Sequence, residues 1–282
     1  MPQTRAILKT WKSKPTMEGA GVRLRRAFGF HEGPRLDPFL LLDDFRSDNP
    51  DDYLAGFPWH PHRGIETISY VLRGSVEHGD SMKNQGVIGA GDVQWMTAGS
   101  GIVHQEMPKG DAEGRMHGFQ LWANLPAAKK MMPPRYQEVK AATIPEVAVA
   151  GGARVRVICG RAGDTEGPVR DIVTDPEYLD VAVPAGSTFA HPTKPGHTAF
   201  AYVIEGKGAL APGAEPASDG TLVYWDDGDR VEVSTGKAPL RFLFVSGRPL
   251  KEPVAWYGPI VMNTEEELRI AFEEFQKGTF IK

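Results

Sequence analysis

The chain of 282 residues has almost no cysteine, since Cys159 stands alone and cannot form an internal disulfide. Its position in VRVICG predicts a small buried residue on a strand. The sequence also lacks a zinc-type cysteine set, a phosphate-binding glycine loop and a Ser-His-Asp spacing. These absences exclude a disulfide-stabilised fold and indicate a reducing compartment, so we expect a cytoplasmic protein, or a nuclear one in a eukaryote.

No apolar run is long enough to cross a bilayer, and the first residues, MPQTRAILKTWKSKPTMEG, lack the apolar core of a secretory signal. The formal net charge is −4 and no basic stripe is present, which argues against direct binding to nucleic acid. Hydrophobic residues make up 41% of the chain, which is enough to bury a sizeable core. We therefore expect a soluble globular protein without a membrane or nucleic-acid partner.

Helical patterns are also scarce. The 32 glycines and 23 prolines separate many short runs of β-branched and aromatic residues. Short runs with turn residues at intervals of roughly 8–12 positions are typical of an all-β sandwich or barrel. KKMMPPRYQEVK is interrupted by Pro133 and Pro134, so it predicts at most two short turns.

One segment near the C-terminus, NTEEELRIAFEEFQKG, does predict a helix. Thr264 and Glu267 have the spacing of a capping box, and Gly278 can end the helix. Four apolar residues fall on one face, which we expect to pack on a barrel wall: Leu268, Ala271, Phe272 and Phe275.

An internal repeat organises the rest of the chain. The stretch Tyr70–Gly74, YVLRG, resembles Tyr202–Gly206, YVIEG, at an offset of 132 positions. Further on, Gly91-Asp92 resembles Gly228-Asp229. Two copies of one β-barrel, joined near residues 125–145, explain both similarities.

This repeat predicts two domains. We expect an N-terminal barrel over residues 1–132 that carries a metal site, and a C-terminal barrel over residues 133–282 that ends in the helix. Adding 132 to the histidine positions described next gives Pro192 and Lys194, neither of which could replace an imidazole at a metal. The second barrel therefore keeps the fold without metal ligands.

The stretch GFPWHPHRGIETISYVLRGSV carries two histidines one residue apart. Residues two apart on a strand project from the same face, so His60 and His62 point to one place. Glu66 keeps the same parity. We expect these side chains to meet inside the first barrel.

A second pair, His104 and Glu106, has the same spacing within GAGDVQWMTAGSGIVHQEM. Three imidazoles and one carboxylate from neighbouring strands form a metal-ligand set. The absence of thiolate and the presence of a carboxylate favour iron or manganese, and a metal that prefers six ligands keeps positions open for substrate and dioxygen. The constellation predicts an open site suited to chemistry.

LDPFLLLDDF, HPHRGIETISYVLRG and GDVQWMTAGSGIVHQEM together resemble the pirins, a family of two-barrel cupins. The resemblance extends over most of the chain, including PVAWYGPIVMNTEEEL. Two features depart from the general cupin pattern: three residues rather than five separate Gly56 from His60, and Thr97 replaces the proline of the second motif.

The resemblance implies a bicupin with one divalent metal, iron(II) above manganese, nickel, copper or zinc, on His60, His62, His104 and Glu106. In many cupins the ligand carboxylate comes from the first motif, here Glu66, whereas in pirins Glu106 takes that role. Glu66 is then expected to orient a ligand histidine.

The resemblance also implies quercetin 2,3-dioxygenase activity, in which a flavonol, a small aromatic enol, reacts with dioxygen and Glu106 accepts the hydroxyl proton. Because the animal member of the family acts as a nuclear transcription cofactor, the alternative is a metal-dependent regulatory protein that binds a protein partner. A non-oxidative cupin enzyme that uses the metal as a Lewis acid is a third possibility. A roomy cavity beside the metal favours the dioxygenase, and a plugged one favours the regulator.

Several other residues receive simpler interpretations. Trp59, Trp95 and Met96 are candidates for the pocket wall. His31, His78 and His117 have no partner at ligand spacing and are expected to be structural or surface residues. Asp43 and Asp44 are interpreted as a solvated pair or a turn cap at a strand end.

Overall fold

The computed structural model describes residues 2–30 and 36–282, and its fold is all-β, as expected. The strands in chain order are β1 (Ile7–Lys12), β2 (Lys14–Glu18), β3 (Val22–Phe28), β4 (Phe39–Asp44), β5 (Phe57–His62), β6 (Ile65–Arg73), β7 (Ser75–Asp80), β8 (Gln85–Ile88), β9 (Val93–Thr97), β10 (Ile102–Lys109), β11 (His117–Asn124), β12 (Arg135–Val139), β13 (Glu146–Ala148), β14 (Arg154–Cys159), β15 (Arg161–Ala162), β16 (Thr165–Glu166), β17 (Glu177–Val183), β18 (Thr188–Pro192), β19 (Thr198–Ala209), β20 (Ala217–Ser218), β21 (Thr221–Trp225), β22 (Arg230–Gly247), β23 (Ala255–Tyr257) and β24 (Ile260–Met262). One α-helix, α1 (Glu265–Gln276), follows β24, and short 3-10 turns cover Pro50–Asp52, Ala127–Lys129, Ala141–Thr143 and Ala150–Gly152.

The chain forms two compact units, each of which combines two separate segments. The N-terminal barrel contains Lys14–Ala141 and Leu250–Lys282, and the C-terminal barrel contains Met1–Ser13 and Ala142–Pro249. The sequence predicted a boundary at residue 132 instead. The difference arises because strand pairing places the N-terminal segment in the C-terminal barrel and the C-terminal segment in the N-terminal barrel. In the C-terminal barrel β1 pairs with β21, and in the N-terminal barrel β12 pairs with β9.

The N-terminal barrel is built from two antiparallel sheets. Seven strands lie in the order β12-β9-β6-β11-β4-β3-β2, and four in the order β5-β10-β7-β8. Strand β10 alternates buried and half-buried residues, as a strand between a core and a more open side should, whereas β9 is buried throughout. The four-stranded sheet carries β5 and β10, the two strands with the predicted histidines.

The C-terminal barrel repeats this order as β1-β21-β19-β22-β17-β14-β13, with β18 on β22 and β20 on β19. A core of valine, alanine and aromatic side chains fills it, including Trp225 and Phe244. Cys159 is buried on β14 without a disulfide, as predicted from its context.

The first half of the sequence repeat is confirmed by strand register. Tyr70 lies opposite Val93, and Tyr202 lies opposite Leu222, at the same position in the two sheets. The second half is wrong. Because the amide of Gly91 donates to the Val71 carbonyl and that of Gly220 donates to the Val203 carbonyl, the counterpart of Gly91 is Gly220 and not Gly228.

The predicted capping box is present at the start of α1. The Thr264 hydroxyl accepts from the Glu267 amide at 3.2 Å, and the Glu267 carboxylate accepts from the Thr264 amide at 2.9 Å. Leu268 and Ala271 are buried, whereas Phe275 is 40% exposed, so the apolar face is narrower than expected. The proline-interrupted segment differs as well, because its second half is strand β12 rather than a turn.

The C-terminal segment is fastened to the end of β5 through Arg63, a buried residue of the same unit. Its guanidinium donates to the Glu274 carboxylate at 2.7 Å and to the Phe280 carbonyl at 2.8 Å, and it lies 4.1 Å from the centre of the Phe280 ring. Within residues 2–30 and 36–282, no helix has the length and apolar character that a membrane crossing requires.

Two glycines of the C-terminal barrel provide a stability test. Gly206 has a φ of +79°, and an added Cβ would lie 1.9 Å from the Pro239 carbonyl oxygen, whereas Gly213 has a φ of +72° with nothing within 4 Å. We expect Gly213→Ala to cost about 1–2 kcal/mol of unfolding free energy, from the left-handed backbone alone. Gly206→Ala should cost clearly more, measured by urea unfolding. Equal losses would contradict the close approach at Gly206.

Candidate metal centre

The antiparallel pairing of β5 and β10 brings three histidines together. His60 lies opposite His104, and His62 lies opposite Ile102, so all three imidazoles share one face. Their ligand nitrogens lie within 4.8 Å of one another. His62 and His104 are buried, and His60 is half-buried. The convergence expected from the two-residue spacing is therefore present for the histidines.

Hydrogen bonds fix the orientation of two of these rings. Nδ1 of His60 donates to the Pro58 carbonyl at 2.8 Å, and Nδ1 of His62 donates to the Pro259 carbonyl at 3.0 Å. A neutral imidazole that donates from Nδ1 carries a lone pair on Nε2. The two Nε2 atoms lie only 3.1 Å apart. With both rings neutral, two lone pairs face each other, an arrangement that a shared cation stabilises.

His104 supplies the second observation that fits a metal. Both of its ring nitrogens are buried and neither has a hydrogen-bond partner within the described residues. A buried polar atom without a partner is costly, and metal coordination is one way to satisfy it. The three residues thus match the donor set and the geometry of a divalent transition-metal site.

The protonation of these rings also favours a metal. Burial, and next the neighbouring His60, lower the pKa of His62 well below its usual 6.5. The same two causes lower the pKa of His104. Both rings are therefore neutral near pH 7, which is the form that binds metal ions.

Glu106 lies close to this cluster but outside it. One carboxylate oxygen accepts from the Ser69 hydroxyl at 2.8 Å and the other accepts from the Gln120 amide at 2.8 Å. The pairing of β10 with β5 is irregular between His104 and Glu106, which shifts Glu106 opposite Phe57. The group of close ligand atoms therefore consists of the three histidines, without the Glu106 carboxylate.

Glu66 does not orient a histidine, contrary to expectation. Gly64, with a φ of +78°, separates β5 from β6, so strand parity does not extend from His62 to Glu66. The buried Glu66 carboxylate accepts from the Thr97 hydroxyl at 2.7 Å. Burial raises the pKa of Glu66, and the hydrogen bond from Thr97 opposes this shift without cancelling it. The carbonyls of Pro58 and Pro259 hold the histidine rings instead.

A cavity of about 690 Å³ opens beside the histidines, and His60, His62 and Gln120 form part of its wall. Six aromatic side chains also line it: Phe30, Phe57, Trp59, Trp122, Trp256 and Tyr257. Trp59, one of the candidates from the sequence, is among these lining residues. Trp95 and Met96 are not, because both side chains are buried in the core of the barrel.

Sequence reasoning missed two parts of this wall. Asp43 is buried rather than solvated, and Arg26 donates two hydrogen bonds to its carboxylate at 2.9 and 2.7 Å. Burial raises the pKa of Asp43 to about 6, although Arg26 opposes the shift. The loop ending at Pro259 is the other part. It follows His62 by 197 positions, and no local pattern could predict its approach.

The remaining histidines of this barrel make contacts away from the cluster. His78 is buried beside the Gln94 amide at 3.0 Å, and His117 lies 3.6 Å from the buried Asp44 carboxylate. Both fit the structural role expected of them. His31 lies outside the described residues.

The C-terminal barrel has a different set of residues at the matching positions. His60 lies opposite His104 in one barrel, and His191 lies opposite Val231 in the other. By the same register Val233 corresponds to Glu106. The offset from His60 is thus 131 and not 132, and only the first of the ligand positions keeps its histidine.

The sequence and structure were compared with known proteins. The sequence pattern of the pirin family matches residues 21–123, and that of the pirin C-terminal cupin domain matches residues 178–281. A pirin-like protein of Caulobacter vibrioides is 48% identical over 98% of this chain and 99% of its own length. Human pirin is 40% identical over 99% of this chain and 94% of its own length.

Among solved structures, a quercetin 2,3-dioxygenase from Acinetobacter baumannii superimposes with a TM-score of 0.90 at 31% identity, and the match covers 99% of both chains. The similarity extends through both barrels and supports the tandem cupin architecture.

The depressed histidine pKa values predict how the metal-free protein responds to pH. Below a pH of about 6.5, His62 and His104 bind protons in the unfolded chain but remain neutral in the folded protein. The free energy of unfolding therefore decreases as the pH falls from about 6.5 toward the pKa values of the folded state. Each group contributes a slope of at most about 1.4 kcal/mol per pH unit.

Urea unfolding in the presence of a chelator, between about pH 5 and pH 7.5, measures this slope. A His62→Leu, His104→Leu double variant should be less dependent on pH than the parent chain. An unchanged slope would show that these two imidazoles are not held neutral.

Proposed function

This chain belongs to the pirin family, and we propose that it is a metal-dependent dioxygenase that opens the ring of a flavonol such as quercetin. The observation that carries the proposal is the set of three convergent imidazoles, two of which line a large cavity with several aromatic side chains. A similar solved protein bears the name quercetin 2,3-dioxygenase, which supports the choice of substrate class.

The cavity suits a flat aromatic substrate. Its volume of about 690 Å³ falls in the range of small-molecule sites, roughly 300–1,000 Å³. The rings of Trp122 and Trp256 have centres 6.0 Å apart, and that of Phe30 lies 5.4 Å from Trp256. Aromatic walls bind flat ring systems by stacking and edge contacts. Such a roomy cavity favours an enzyme over a regulator with a plugged pocket.

In this proposal His60, His62 and His104 would hold iron(II), and Glu106, which lies close to them, would serve as the fourth ligand. When bound, a transition metal there would act as a Lewis acid toward an enolic oxygen and provide a centre for dioxygen. Burial lowers the pKa of His62 and of His104, and the Pro58 and Pro259 carbonyls fix the rings of His60 and His62. Such supporting bonds set ligand orientation.

Glu106 is the residue that we assign to proton transfer. Its carboxylate holds two hydrogen bonds, from Ser69 and Gln120. The Gln120 amide oxygen in turn accepts from the Trp122 indole at 3.2 Å, which fixes the amide with its NH₂ group toward Glu106. In our proposal Glu106 exchanges one of these bonds for the flavonol hydroxyl and accepts its proton.

The first test is aerobic turnover of quercetin by protein loaded with ferrous iron, combined with metal analysis. We expect His62→Ala to lower the rate by more than about 100-fold, because loss of a ligand exceeds the loss of a supporting bond. The matched control is His197→Ala in the C-terminal barrel, which should keep full activity. Oxygen consumption coupled to loss of quercetin distinguishes a dioxygenase from a non-oxidative enzyme.

Retained activity in His62→Ala would refute the proposed site. Turnover without oxygen consumption would refute the reaction. Loading with manganese, nickel, copper or zinc in parallel identifies the metal that supports the highest rate.

The second test concerns the position of Glu106. Gln120→Leu removes one of the two hydrogen bonds to the carboxylate and should lower kcat by about 10–100-fold. Gln105→Leu, on the same strand as Glu106, is the matched control and should change kcat little. Retained activity in Gln120→Leu would mean that the amide has no part in positioning the base.

A further inference from the structure

The C-terminal barrel contains a cavity of its own, with a volume of about 840 Å³. Much of its wall is apolar, with Val169, Ile172 and Phe189 among the lining residues. Glu177 and His191 also line it, and both are buried. A large, mainly apolar cavity with a few buried polar groups is the usual form of a small-molecule site.

The polar groups of this cavity form a connected set. Nε2 of His191 lies 3.3 Å from one Glu177 carboxylate oxygen, and the Ser246 hydroxyl donates to the other at 2.9 Å. A carboxylate accepts, so Nε2 is the donor, and Nδ1 of a neutral ring then carries the lone pair. Nδ1 makes no hydrogen bond within the described residues. The set therefore offers one acceptor to a ligand.

Comparison with the other barrel indicates that folding does not require this set. By strand register, Glu177 corresponds to Leu41 and Ser246 corresponds to Trp122. The N-terminal barrel builds the same strands with apolar side chains at these two positions. Buried polar groups are costly compared with apolar ones, so their presence indicates a purpose other than packing.

The surroundings of His191 favour a ring-shaped ligand. The Phe189 ring lies parallel to the imidazole with centres 6.2 Å apart, and the Phe244 ring meets it edge-on at 5.0 Å. Phe189 also lines the cavity. Aromatic side chains beside a hydrogen-bonding group are well suited to a flat ring that carries a polar substituent.

The charges of the wall argue against an ionic ligand. Three basic side chains line the cavity, and each already pairs with a carboxylate. Arg161 and Arg170 both bind Glu166, and Lys194 binds Asp175 at 2.6 Å. An incoming anion would have to displace one of these partners. An uncharged ligand avoids that cost.

We propose that the C-terminal barrel binds an uncharged ring compound whose hydroxyl group donates a hydrogen bond to Nδ1 of His191. This is a second small-molecule site, in a different barrel from the metal centre, and it does not depend on the proposed dioxygenase activity. Phenols and naphthols are the chemical class that combines a flat ring with a strongly donating hydroxyl.

The test uses 2-naphthol as the probe and the full-length protein with isotope-labelled histidine. The nitrogen signal of His191 is assigned by its absence from His191→Phe, and its change during titration reports binding at this site alone. We expect a saturable change in Nδ1. His197→Phe is the matched control, because His197 lies in the same barrel but does not line the cavity, and it should leave the titration unchanged.

Two further probes keep the test decisive if His191→Phe fails to fold. The compound 2-methoxynaphthalene has the same ring without the hydroxyl donor, and 2-naphthoate carries a negative charge. We expect both to bind the parent protein at least about tenfold more weakly, the loss that one hydrogen bond of about 1.4 kcal/mol accounts for. No change in the His191 signal, or equal binding of either probe, would overturn the proposal.

Discussion

Two histidine rings whose Nε2 atoms are only 3.1 Å apart set the central constraint on the N-terminal barrel. Nδ1 of each ring donates a hydrogen bond to a backbone carbonyl, so neither ring can rotate without breaking that bond. Burial lowers the pKa of His62, so this ring does not relieve the repulsion by taking up a proton. Such an arrangement persists only if the surrounding structure holds the two rings in place. A bound cation would remove the repulsion between the two nitrogen atoms, and this gain in free energy would strengthen its binding.

The sequence was most informative where a rule of strand geometry applies directly. Two-residue spacing predicted that His60 and His62 share a face, and the glycine-punctuated repeat predicted two barrels. Prediction failed wherever the backbone leaves regular geometry, as at Gly64, whose positive φ ends the parity on which the interpretation of Glu66 rested. Contacts between distant segments, such as that of Pro259 with His62, have no local signal at all.

The two barrels show how one scaffold carries different polar interiors. Strand order is the same in both, and His60 and His191 occupy matching positions. In the first barrel the neighbouring strand adds His104, whereas in the second it supplies Val231, and a carboxylate on another strand becomes the partner of His191 instead. A histidine at this position is thus compatible with metal binding or with a carboxylate hydrogen bond. Which of the two occurs depends on the adjacent strands.

The division of each barrel between two distant stretches of chain has a consequence for synthesis on the ribosome. His62 obtains its carbonyl partner from Pro259, and Arg63 binds Glu274 and Phe280, all of which are translated after residues 142–249. Domains generally begin to fold as they emerge from the ribosome. Here most of the N-terminal barrel is translated before residues 142–249 and the rest after them, so the residues that contact His62 and Arg63 are made last. The proposed metal centre therefore gains the support of Pro259 only when translation is nearly complete.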